Sequence, residues 1–352
     1  MLESLTRTDM QELKNAHAEA KEVRELINQL IADIAQFRNE RIDALYYNIW
    51  QQGTVNQGTT SAVQFLIELL QGDSIQDKDQ LLLLLAYVAR GNSYTDVEQD
   101  ATESEEQSSQ EPEWLQNAHN AVAAGVPVYL DLLEHEEPIV RTCAAYTLSS
   151  FKEHACAIIP RLHSCINTEE DELAKSSMLL CLSAVAENNA ACQQLLTEMI
   201  KEQPSALVKL AASMALARLA KENTPAEALH VLVDTIIEPE PIKGTYAELP
   251  WANTDVVGDT SRILYALGPS AARIVIPILI EALKTTNPHS SLRVVDALLH
   301  LAFNGEPVHI DFTDQALTNE QRLVLTTISN SDCAWVINIM NRGKKSRREM
   351  LP

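Results

Sequence analysis

The chain has 352 residues, with 49 acidic against 27 basic side chains and a formal charge of −22 at pH 7. A field of that sign repels phosphate backbones and anionic lipid, so it argues against nucleic acid and membrane as direct partners and favours a basic protein surface. The start, "MLESLTRTD", lacks an apolar core behind basic residues, and the longest apolar run, Leu81 to Ala89, is about half the length of a membrane span. These features predict cytoplasmic residence.

The aromatic share is 5 % while Leu and Ala abound, which suits packed helices. In chain order, "VRELINQLI" followed by "RIDALYYNIW" reads as a first helix pair over 19–52. Trp50 and Gln51 sit at its end and are candidate partner contacts, although a structural corner is the simpler reading. Gly53 lies where a left-handed helix cap favours glycine, and Thr59, Thr60 or Ser61 can cap the next helix. "AVQFLIELL" and "DQLLLLLAYVARG" form a second pair over 61–92. An insertion over 93–113 follows, with eight acids between 96 and 113 and no Lys or Arg. Such a segment cannot repay its ordering entropy and is expected to be a mobile loop. Trp114 closes it and joins the candidate contacts.

The central region repeats. "EPIVRTCAAYTL", "DELAKSSMLLCL" and "SALVKLAASMAL" place Arg141, Lys175 and Lys209 at successive spacings of 34 residues. An apolar helix precedes each ("GVPVYLDLL", "IIPRLHSCI", "CQQLLTEMI"), so the repeating unit is a helix pair that cannot bury its apolar face alone. The pairs are 125–152, 158–189 and 192–222, followed by 228–268 and 275–305. A long inter-helix loop, 238–254, carries Tyr246, Leu249 and Trp251 among acids. Glu238, Glu240, Tyr246, Glu248, Trp251 and Asp255 are therefore the leading partner-binding candidates, an aromatic anchor within a steering charge. Residues 306–341 read as capping helices, and 342–352, which opens "RGKKSRR", as a disordered basic tail.

The helix starts and the x-Pro dipeptides of first helices (Val126-Pro127, Ile159-Pro160, Ile276-Pro277) resemble the short HEAT repeats of bacterial α-solenoids, including the phycobilin-lyase type. "RIDALYYNIWQQGTV" and "LTNEQRLVLTTISNSDCAW" resemble the opening and closing segments of uncharacterised bacterial HEAT-repeat proteins, with Gln51 where those carry histidine. The resemblance implies an all-α, right-handed, armadillo-like α-solenoid of about seven HEAT-like pairs, over 1–305, with capping helices. It implies no activity.

Catalytic signatures are missing. No phosphate-binding Gly-rich loop, His-Glu-x-x-His or Gly-x-Ser-x-Gly occurs, and His135-Glu136 is one His-Glu dipeptide where a di-iron HEAT site needs several. His154, Cys156, His163 and Cys165 have zinc-binding residue types, but i,i+2 positions on a helix diverge and Pro160 divides them. Cys143 and Cys181 read as small core hydrophobes. The expectation is a non-enzymatic scaffold without metal or cofactor that binds another protein through its concave face or edge loops. An immunity or inhibitor protein, imitating the anionic substrate of a toxin, is its sharpest form. The alternative is an enzyme or cofactor carrier built on the HEAT scaffold.

Overall fold

The computed structural model describes residues 57–72, 77–90, 113–187, 189–253, 255–284, 288–303 and 317–331. The expected first pair with Trp50 and Gln51, most of the acidic insertion and the basic tail lie outside the described residues. The described residues form α-helices and short 3-10 turns with no strand among them, and the chain divides into two compact units between Val185 and Ala186.

The first unit holds α1 (Gln57–Gln71), α2 (Lys78–Arg90), α3 (Glu113–Ala123), α4 (Val126–Leu132), α5 (Pro138–Leu148), α6 (Ala155–Thr168) and α7 (Glu172–Val185). Neighbouring helices differ in how they are buried, as α6 and α7 show. On α6, Ile158, Leu162, Cys165 and Ile166 form one buried stripe at helical spacing. On α7 ten residues, from Ala174 to Val185, are buried almost all round. Successive second helices pack on one another, α2 on α5 and α5 on α7, while α6 lies against α7. Small residues permit that closeness, and hydroxyls tie the stacked helices: Thr147 Oγ1 donates to Leu82 O at 2.9 Å and Ser177 Oγ to Thr142 O at 2.7 Å. Cys143 and Cys181 are buried as expected, and burial pushes the Cys143 thiol up to about 12.

The helix α3 differs from the sequence expectation, which ran the insertion to 113 and began the next pair at 125. The first-helix position of that pair is filled by α3 and α4 in tandem, and α3 packs on α1 and α2. Gly125 makes the break. The Tyr129 hydroxyl folds back to donate to Val122 O at 3.0 Å, and a Cβ on Gly125 would stand 2.3 Å from that hydroxyl.

The second unit holds α8 (Ala190–Glu202), α9 (Ala206–Ala220), α10 (Ala226–Ile237), α11 (Lys243–Ala247), α12 (Val256–Ala266), α13 (Pro269–Leu283), α14 (Pro288–Phe303) and α15 (Asn319–Ser329). Here too the second helices follow one another, α9 on α12 and α12 on α14, and α10 packs on α13. Side-chain caps start the helices: Asn189 accepts from Ala191 N and Cys192 N, Ser205 from Val208 N, Asp255 from Gly258 N. A reciprocal capping box, Thr318 with Gln321, opens α15 within the expected capping region. Gly268 enters α13 at φ +76°, a conformation that favours glycine. Among the described residues no helix is long and apolar enough to cross a membrane.

Candidate functional site

Among the described residues, the turns after α4, α6 and α10, each leading to the next long helix, carry organised charge. In the first unit two of these turns are joined by Arg141. Arg141, in the first turn of α5, grips Glu169 with two parallel bonds, Nε to Oε2 at 2.6 Å and Nη2 to Oε1 at 2.7 Å. Its Nη1 donates to His135 O and Glu136 O of its own turn. Glu169 Oε1 also accepts from the backbone N–H groups of Glu170 and Asp171, where the next turn enters α7. The side chains are 15 % and 5 % exposed, so this pair is largely withdrawn from water. Burial raises the Glu169 carboxyl, but the Arg141 hydrogen bond, the backbone donors and the Arg141 charge outweigh it and hold the group below its ordinary value.

One guanidinium thus joins two neighbouring turns, residues 135–136 and 169–171. Around it Glu134, Glu136, Glu137, Glu170 and Glu172 are exposed. Arg161 reaches Glu134 at 3.2 Å and Asp131 at 4.0 Å, but those partners are solvated and the bridges weak. The sequence reasoning missed this edge. The signal was present: Glu136 and Glu137 precede Glu170 and Asp171 by the same 34 residues that separate Arg141 from Lys175.

In the second unit the long turn after α10 is structured. Pro239, Ile242, Tyr246 and Leu249 are buried, and the five residues of α11 form one helical turn between them. Tyr246 Oη donates to Asp259 Oδ2 of α12 at 2.8 Å, and the Asn253 backbone N–H donates to the same oxygen at 3.1 Å. Arg262 Nη1 lies 3.4 Å from the other carboxylate oxygen. Burial and then the Asp259 charge push the Tyr246 phenol well above its ordinary value. Tyr246 is therefore an anchor that pins the turn, not an exposed contact, because only its buried position lets it reach Asp259.

The other candidates divide. Glu238, Glu240, Glu248 and Asp255 are exposed on this pinned segment and Trp251 is half-buried. Asp255 also caps α12, and Glu240 lies 3.8 Å from Arg293. Trp114 falls in the first turn of α3, away in sequence from this segment. Cys156 is exposed while Cys165 is buried, and no group of His, Cys, Asp and Glu with metal-holding geometry occurs among the described residues.

No protein-family model matches the chain, and no curated relative matches it. Among solved structures, the crystal structure of an engineered protein is similar at 17 % identity and a TM-score of 0.40, over 98 % of this chain and 86 % of that one.

Proposed function

We propose that the chain is a non-enzymatic interaction protein whose helix pairs are HEAT-like repeats, and that its acidic first-to-second-helix turns bind a protein with a basic surface. One observation carries the reading: solvent-facing carboxylates ride on turns that are themselves pinned by buried polar bonds, Arg141 to Glu169 in the first unit and Tyr246 to Asp259 in the second. Fixed charge steers a partner and sets register at less entropic cost than charge on a loose loop. Trp251, half-buried on the same turn as Glu248, supplies an aromatic contact of the kind enriched at interfaces. A partner with a cationic catalytic cleft makes this an immunity or inhibitor protein, since the turns would occupy the place of an anionic substrate.

Two variants test the reading by turn. One combines Glu136→Gln, Glu137→Gln and Glu170→Gln; the other combines Glu238→Gln, Glu240→Gln, Glu248→Gln and Asp255→Asn, the last keeping a cap-competent side chain. Affinity capture from the native lysate, quantified by mass spectrometry, should show a basic protein retained by the wild type and depleted at least tenfold by one variant. A captured protein retained equally by both would overturn the assignment. If the captured protein is an enzyme, assaying it with and without this chain decides the inhibitor form.

A further inference from the structure

The contact between the end of α2 and the middle of α3 holds a group that the binding surface does not use. Arg90 closes α2, and α3 begins at Glu113. His119 of α3 sits between two acceptors. Its Nδ1 lies 3.1 Å from Ala89 O, and its Nε2 lies 2.7 Å from Glu153 Oε1 in the 3-10 turn after α5. Ala89 O belongs to the last turn of α2, where carbonyls lack intrahelical donors and the helix dipole attracts positive charge. The ring is held from its side by Phe151, with centroids 5.2 Å apart, and Phe151 in turn stacks on Tyr129.

An imidazole facing acceptors at both nitrogens needs two N–H groups to satisfy them, and only imidazolium has two. A neutral ring satisfies one and turns a lone pair toward the other. We propose that His119 is a proton-operated latch that fastens α3 to the end of α2 and to the 3-10 turn when protonated and loosens α3 when neutral.

The neighbouring charges agree with this direction. Burial raises the Glu153 carboxyl, yet its own backbone hydrogen bond, the His119 bond and charge, and the His154 charge outweigh it and keep the carboxylate ionised below its ordinary range. Arg90 is engaged elsewhere: its guanidinium donates to Tyr146 O, Ser149 Oγ and Ser150 Oγ and lies over the Tyr146 ring. Lys152 is exposed on the 3-10 turn, and His154 packs edge-on to Phe151. The other charges on the packed helices are Glu68 on α1, which is exposed, and Lys78 and Asp79 at the far end of α2, about three turns away. The latch therefore holds where imidazolium and carboxylate coexist. It releases when the ring loses one of its two N–H groups or when Glu153 takes up a proton.

Hydrogen exchange of the full chain, followed by mass spectrometry on peptides covering α3 and corrected for intrinsic rates, tests this at about pH 5.5 and about pH 8.5, on either side of the imidazole range. The opening of α3 should increase about five- to tenfold at the higher pH, as expected for losing a cation at a helix C-terminus. His119→Gln should abolish that dependence, while His154→Gln should retain it and Glu153→Gln should reduce it. Wild-type protection that does not change with pH, or a His119→Gln variant that keeps the wild-type dependence, would overturn the latch. The wild-type comparison and ring-nitrogen chemical shifts of His119 decide the matter even if a variant fails to fold. Two ring N–H signals at low pH support it, and one signal throughout refutes it.

Discussion

Breaking the Arg141–Glu169 pair should cost far more than an ordinary surface ion pair. With side chains 15 % and 5 % exposed and two parallel hydrogen bonds at 2.6 and 2.7 Å, the pair stands near the buried limit. Removing one partner of a buried pair costs about 3–5 kcal/mol, against roughly 0.2–1 kcal/mol for an exposed one. Glu169→Ala leaves the guanidinium facing two backbone carbonyls and also strips a carboxylate from two turn N–H groups, so about 3 kcal/mol is expected. Arg141→Ala should cost a similar amount. The double variant should cost much less than the sum, giving a coupling of about 2 kcal/mol, within the range for residues in one network. The assay is urea unfolding of the four proteins, followed by exchange protection of α5–α7 so that the first unit is read by itself. The pH dependence has a definite sign. Because the folded carboxyl is held below its ordinary value, its contribution is present above the unfolded carboxylate range near pH 4.3 and fades as pH falls through the folded value. Additive single variants, or a Glu169→Ala cost near 0.5 kcal/mol, would refute the claim that this pair joins the turns that lead into α5 and α7.

Gly125→Ala should destabilise the first unit by about 1–3 kcal/mol through overpacking, and adding Tyr129→Phe should not rescue it, because the ring Cζ at 2.5 Å and Ile67 Cδ1 at 2.9 Å still obstruct the new Cβ; thermal melts check it. Lys221 sits at φ 50°, ψ −123°, so Lys221→Gly should stabilise the second unit by up to about 1 kcal/mol while Lys221→Ala should not. Tyr246→Phe should cost about 1–3 kcal/mol by leaving buried Asp259 short of a donor, and protection should fall across 239–253. The raised Tyr246 phenol adds an alkaline limb: its contribution is complete below the unfolded value near pH 10 and is lost as pH rises above it, which tyrosinate absorbance and unfolding can follow together.

The sequence carried the helix pairs because their signal is local. The 34-residue spacing of Arg141, Lys175 and Lys209 and the all-round apolar character of the second helices are sequence properties, and α5, α7 and α9 form at those places. Caps were less legible: Ser205 and Asp171 accept from Val208 N and Ala174 N, whereas Thr59, Thr60 and Ser61, read as caps for the next helix, lie inside α1, which already begins at Gln57. The helix α3 was not legible: "EWLQNAHNAVA" follows an acidic, unpatterned stretch, and its partners α1 and α2 lie far back in the sequence. Tyr246 looked like a surface aromatic among acids because nothing local announces that Asp259, thirteen residues on, is buried and needs its hydroxyl. The role of Glu169 was hidden likewise, since a glutamate in "TEEDE" reads as solvated charge until Arg141 is found 28 residues away. In each case the missing information is a tertiary partner.

The central claim, that pinned acidic turns recruit a basic protein, is tested most directly by the salt dependence of that capture. The intact chain and its two turn-neutralised variants are compared for partner affinity across about 50–500 mM salt, over which the screening length falls severalfold. The account predicts that wild-type affinity falls steadily with salt, mostly through slower association, and that one variant starts weak and responds little. Salt-independent binding by the wild type, or equal binding by all three proteins, would contradict it.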